Sequence, residues 1–170
     1  MISNCMSGGA LQIDEESYWC RDYRRCSYSY EDALKLVMDF HGNPSPGLVL
    51  GVKMVTYGIE HIPAGIPFDV VCEARGCLPD AVQILTPCTV GNGRLKINDL
   101  GRYALAMYDK TNGRGVRVSV DPVKVHCWPV LYDWFLEIKP MVDLNMNCLM
   151  SEIRNAGTDI LKCRDIEMII

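Results

Sequence analysis

No stretch of this sequence is apolar for long enough to cross a bilayer; the best candidate, "PGLVLGVKMVTYGI", carries Lys53 in its middle. Basic excess is missing as well. Seventeen Lys and Arg face 21 Asp and Glu, a net charge of -4, whereas a general binder of nucleic acid or anionic membrane needs a basic face. The opening residues, "MISNCMSGGALQIDEES", hold no basic start and no apolar stretch before their acids. An export signal is therefore not expected, and the chain reads as soluble and cytoplasmic. Internal repeats and low-complexity tracts are absent. "TVGNGRLK" lacks the residue order of a phosphate-binding P-loop and reads as a turn, and "NGRGVRV" reads as part of a hairpin.

The apolar fraction of 49% is enough for a packed core, and 170 residues suit one domain with an appended arm. Residues 1–28 show no clean period and form the expected arm; residues 29–170 form the expected domain. The arm contains "YWCRDYRRCSYSY", in which Arg21, Arg24 and Arg25 are read as a surface cluster rather than an anion site. Nine cysteines, an odd number without an export signal, point to reduced thiols rather than a disulfide scaffold. Cys20 and Cys26 lack the tight spacing of zinc modules. Cys72, Cys127, Cys148 and Cys163 are read as buried space-fillers, since free cysteine is among the most buried residue types. His126 beside Cys127 lacks a second close pair and is discounted as a metal site.

Ser29 and Asp32 resemble a capping box, ahead of a helix through "YEDALKLVMDF" that should stop near Gly42. Ser45 and Pro46 then open a second helix, with Leu48, Val52, Val55 and Ile59 on one apolar face and an end before Pro63. Gly47 and Gly51, four apart, permit close approach of another backbone. "FDVVCEARG" reads as a strand, "PDAVQIL" as a short helix starting at Pro79, and "RLKIND", "ALAMYDK" and "GVRVSVD" as successive antiparallel strands, the last two joined by Asn112-Gly113. Helices are expected over residues 129–139 and 143–157, the latter capped by Asp143, and "ILKCRDIEMI" closes the chain as an edge strand. The order is that of an α+β fold with one mixed or antiparallel sheet and helices on one face.

Chemistry has two natural places in this pattern. Ser45 caps one helix, and Cys77 precedes Pro79 at another, where a helix N-terminus favours a thiolate. Cys88 follows the short helix. Both cysteines flank glycine or proline turns, and each reads equally as a core thiol or a site group. His41 has two readings also, a satisfied core histidine or a ligand.

Three stretches, "FHGNPSPGLVLGVKM", "GCLPDAVQILTPCTVGNGRL" and "YDKTNGRGVRV", taken together and in this order, resemble the FmdE family of formylmethanofuran dehydrogenase proteins. The resemblance runs from about residue 30 to about residue 134. It implies a mixed four-stranded sheet, a homodimer, and a Cys/His-lined pocket able to hold zinc or another divalent metal. It also implies a link to methanogen one-carbon metabolism and to molybdenum or tungsten enzymes. The family pattern in the first stretch is His-Gly-His-x-Cys-Pro-Gly; here His41 remains, while Asn43 and Ser45 stand in place of the second histidine and the cysteine. Neither is a soft ligand.

Three functions follow as expectations. The first is an accessory protein holding a metal or small ligand, with His41, Cys77 and Cys88 as ligands and Asn43, Ser45, Asp80 and Gln83 lining the pocket. The second is an enzyme using Cys77 or Cys88 as a redox or nucleophilic thiol. The third is a binding or scaffold protein with a degenerate metal site, acting on a partner enzyme.

Overall fold

The structure, a computed structural model, describes residues 29–63 and 65–169. The expected arm, with Cys5, Cys20, Cys26 and its three arginines, lies outside the described residues.

Helix α1 spans Tyr30–His41. Ser29 Oγ accepts from Asp32 N at 3.2 Å to start it, and Gly42, at φ 91°, ends it in the left-handed conformation that glycine adopts without strain. Three residues later Ser45 Oγ accepts from Leu48 N at 3.3 Å and Pro46 supplies a preset φ, so α2 runs over Pro46–His61. The expected single apolar face is an understatement. Leu48, Val49, Leu50, Val52, Met54 and Val55 are all fully buried, so the first half of α2 is enclosed on every side, while Lys53, Thr56 and Tyr57 stay half-buried. A helix turn that is apolar all round is a buried one. It packs against α1, against the sheet and against the later helices.

Strand β1 (Phe68–Cys72) alternates between buried and half-buried positions, with Phe68, Val70 and Cys72 inward. Helix α3 (Cys77–Leu85) then returns alongside α2. It starts two residues earlier than the Pro79 start expected, which places Cys77 at the first helical position. Strand β2 (Leu95–Ile97) follows. Strands β3 (Ala104–Asp109) and β4 (Arg114–Val120) form the hairpin signalled by Asn112-Gly113, with Leu105 opposite Val118 and Met107 opposite Val116.

The sheet order is β2-β1-β3-β4-β5. Two expectations are corrected here. β2 does not pair antiparallel with β3; it pairs parallel with β1, Val70 opposite Leu95, because α3 carries the chain across before β2 begins. The sheet also has five strands rather than four. The closing segment forms β5 (Leu161–Glu167), antiparallel to β4 and at the far edge. The sheet is thus mixed and the class α+β.

The remaining helices are short. Helix α4 spans Pro122–Val125 and α5 spans Pro129–Phe135; α5 ends before residue 139, with Glu137 at φ 54° just beyond it. Asp143 lies in a single 3₁₀ turn (Met141–Asp143). The cap of α6 (Met146–Ala156) is Asn145, whose side chain accepts from Cys148 N at 3.0 Å. Cys127 and Cys148 are exposed, not buried as expected, because they fall on the outer faces of these surface elements. Among the described residues, no helix is long and apolar enough to cross a membrane.

Candidate functional site

Three chain segments meet at one end of the helical layer. The last residue of α1 is His41, the N-cap of α2 is Ser45, and the first residue of α3 is Cys77. The two glycines of α2 bring them together. A Cβ on Gly47 would stand 2.9 Å from Cys77 Sγ and 3.0 Å from the Tyr103 hydroxyl, and one on Gly51 would stand 3.2 Å from Ala81 Cβ. The close approach expected of these glycines is therefore to α3, and at Gly47 it is to the thiol itself. Tyr103, just ahead of β3, donates its hydroxyl hydrogen to the Gly47 carbonyl. Burial raises that phenol far above its ordinary range, so it stays protonated and donating.

The polar geometry at this junction is specific. His41 Nδ1 lies 2.6 Å from Asp80 Oδ2, one turn into α3. A carboxylate at that distance fixes the imidazole with its proton on Nδ1. The opposite nitrogen, Nε2, faces Cys77 Sγ at 3.7 Å. Ser45 Oγ lies 3.0 Å from the same sulfur. No side chain caps the first turn of α3, whose N-cap is Gly76 at φ 78°. The His41 and Asp80 side chains are 20% and 27% exposed, so the cluster is partly open to solvent.

The other sequence candidates fall elsewhere. Cys88 is fully buried and its thiol donates to the Phe68 carbonyl at 3.1 Å, at the opposite end of β1 from Cys77. The reason is α3 itself: a nine-residue helix separates its ends by about 12 Å, and Cys77 begins it while Cys88 follows it. Burial pushes the Cys88 thiol up to about 11, so it is an unionised core group at neutral pH. Gln83 is on α3 but spends its Oε1 on Val90 N at 3.2 Å, bracing the loop after the helix. Asn43 is exposed in the loop between α1 and α2. Tyr103 was missed by sequence reasoning; it has no local signal, because only the register of β3 against β1 brings it under Gly47.

The family-implied metal is testable against these donors. His41 Nε2 and Cys77 Sγ are spaced much as two ligands on one tetrahedral zinc, which stand about 3.5 Å apart. Structural zinc takes four protein ligands, however, and catalytic zinc three. Asp80 is committed to Nδ1, Ser45 supplies only a hydroxyl, and Cys88 is remote. Among the described residues, no group of three or more His, Cys, Asp or Glu side chains converges as a metal site. Among the described residues the donor set does not fit a resident zinc, and His41, Cys77 and Cys88 do not converge on one centre.

Residues 40–170 match the family model described as FmdE, molybdenum formylmethanofuran dehydrogenase operon. The chain belongs to the FmdE family. A solved relative, an FmdE-like protein of the tungsten formylmethanofuran dehydrogenase type from Syntrophus aciditrophicus, is 45% identical and superposes with a TM-score of 0.77. That alignment covers 84% of this chain and 74% of the other. A probable S-adenosyl-L-methionine-binding protein of Archaeoglobus fulgidus is 36% identical over 95 residues, which are 51% of this FmdE chain and 26% of the relative. The chain thus aligns with about a quarter of that relative's length.

Proposed function

We propose that this FmdE-family chain is an accessory protein that binds a small ligand at the junction of His41, Ser45, Cys77 and Asp80, without a resident metal. One observation carries the reading: the imidazole is held by Asp80 at 2.6 Å with its second nitrogen turned to a thiol at 3.7 Å. Replacement of the second motif histidine and the motif cysteine by Asn43 and Ser45 removes metal donors, yet Ser45 still caps α2 and contacts the thiol. The loop keeps its shape and polarity while its ligand field is weakened.

The physiological setting, one-carbon or molybdenum/tungsten-enzyme metabolism, is part of the proposal and rests on the family. So does a homodimer, for which the exposed Leu136, Ile138, Met141 and Val142 offer an apolar strip. The test is metal analysis of untagged protein purified without chelator. The reading expects well under one zinc per chain, unchanged in Cys88→Ala. A stoichiometric metal lost on mutating Cys77 or His41 overturns it.

A further inference from the structure

We propose that Cys77 is an acyl acceptor, a nucleophile that takes an acyl group from an activated ester or thioester, with His41 as its base and Asp80 positioning the base. The proposal rests on the small-ligand reading of the junction and adds a substrate class to it. Four features of the junction are those nucleophilic acyl transfer needs. The sulfur has a base nitrogen 3.7 Å away, slightly beyond contact, as such pairs often stand before substrate binds. The base has an orienting carboxylate at 2.6 Å, which fixes the tautomer that leaves Nε2 free to accept. The sulfur sits at the first position of α3, whose first turn has no side-chain cap, and a helix N-terminus favours the negative charge that a carbonyl oxygen gathers. Ser45 Oγ, 3.0 Å from Sγ, supplies a hydroxyl hydrogen to the sulfur as its own proton leaves. Of the other described cysteines, Cys127 follows His126 in the chain, but that imidazole packs edge-on against Tyr132, ring centroids 4.8 Å apart. Cys72 and Cys88 are buried, and burial pushes their thiols up to about 12 and about 11.

The step balances without any oxidant or metal. The Sγ–H proton passes to His41 Nε2 as the sulfur's electron pair forms a C–S bond to the acyl carbon. The carbonyl π pair moves to oxygen, beside the α3 N-terminus. When it returns, the bond from carbon to the leaving alkoxide or thiolate breaks. The leaving group carries off the proton from His41 Nε2. The product is a thioester on Cys77 and a neutral alcohol or thiol. Asp80 keeps its hydrogen bond to Nδ1 throughout and does not touch the substrate; it is a positioning residue.

The full chain is mixed with p-nitrophenyl acetate, and release of p-nitrophenolate is followed together with intact mass and peptide mapping. The expected result is a burst approaching one equivalent, with a single acetyl group on the peptide carrying Cys77. Cys77→Ala abolishes both. His41→Asn slows the burst on the order of 10²–10⁴-fold, the usual worth of a general base. Asp80→Asn slows it too and Asp80→Glu partly restores it, a rescue that a purely structural role would not give. In parallel, excess iodoacetamide is used to exhaustion on every variant. If it alkylates Cys77 fully while the ester gives no burst, or gives one that ignores His41, the acyl proposal is overturned and the ligand reading stands. If it never reaches Cys77 in the native protein, the junction is closed and the underlying reading fails as well.

Discussion

Gly47→Ala puts one methyl group where the site is assembled, and its consequence can be worked from distances. The new Cβ would lie 2.9 Å from Cys77 Sγ, 3.1 Å from Cys77 Cβ and 3.0 Å from the Tyr103 hydroxyl. Two of these atoms belong to a side chain at a helix start, and the third is held by its bond to the Gly47 carbonyl, so no flexible end can swing aside. Overpacking of this kind costs about 1–3 kcal/mol. The higher helix propensity of alanine returns at most about 1 kcal/mol. The net loss of up to about 2 kcal/mol lowers the melting temperature by several degrees, at about 2–4 °C per kcal/mol for a chain this size. Gly51→Ala is the internal control. Its Cβ meets Ala81 Cβ at 3.2 Å, and the next atoms are at 3.6 and 3.7 Å, so overpacking and propensity nearly cancel there. Thermal melts and peptide-resolved alkylation of Cys77 read the two variants. Gly47→Ala should both destabilise the protein and alter Cys77 reactivity, whereas Gly51→Ala should leave that reactivity alone. A Gly47→Ala protein as stable as the parent, with Cys77 unchanged, would refute the claim that this contact builds the site.

Further outcomes follow from the same geometry. Tyr103→Phe leaves the Gly47 carbonyl without its hydroxyl donor and should cost about 1 kcal/mol, seen as a lower denaturant midpoint. Cys88→Ala removes a packed thiol and its bond to the Phe68 carbonyl, so it should lower stability by about 1–2 kcal/mol without changing modification of Cys77. The hydrogen bond from Arg117 to Glu73, at 2.5 and 2.6 Å, holds the Glu73 carboxyl below its ordinary value. A carboxyl lowered in the folded state contributes stability above its unfolded value, near pH 4.3, and loses it as pH falls through the folded one. Acid titration of the melting temperature should therefore show a fall below about pH 4 that is shallower in Glu73→Gln, which starts less stable at neutral pH. An unchanged acid slope would remove that pair from the account.

Local signals carried far in this chain. Ser29 and Gly42 bound α1, Ser45-Pro46 opens α2, and Asn112-Gly113 turns the β3–β4 hairpin, each through a hydrogen bond or φ preference within a few residues. The Gly47–Gly51 pair announced a close approach but not its target. Non-local facts were not legible. The parallel partner of β2 depends on where α3 carries the chain; the closing segment was legible as an edge strand, but its pairing with β4 was not. The error over Cys88 has the same origin. Along the sequence, Cys77 and Cys88 both flank the short helix; in space the rigid helix holds them apart. His41, Cys77, Ser45 and Asp80 were each named as candidates from the sequence, and the fold supplies what spacing could not, a 2.6 Å carboxylate–imidazole contact and a 3.7 Å imidazole–sulfur contact.

The rate at which iodoacetamide modifies Cys77, set against Cys127 and Cys148 in the same protein at neutral pH, weighs that arrangement most directly. Those two thiols are exposed while Cys77 is half-buried, so accessibility alone ranks Cys77 last. The account predicts that Cys77 reacts first, that His41→Asn drops it to last, and that Cys88→Ala changes nothing. Cys77 trailing both exposed cysteines, with or without His41, would contradict it.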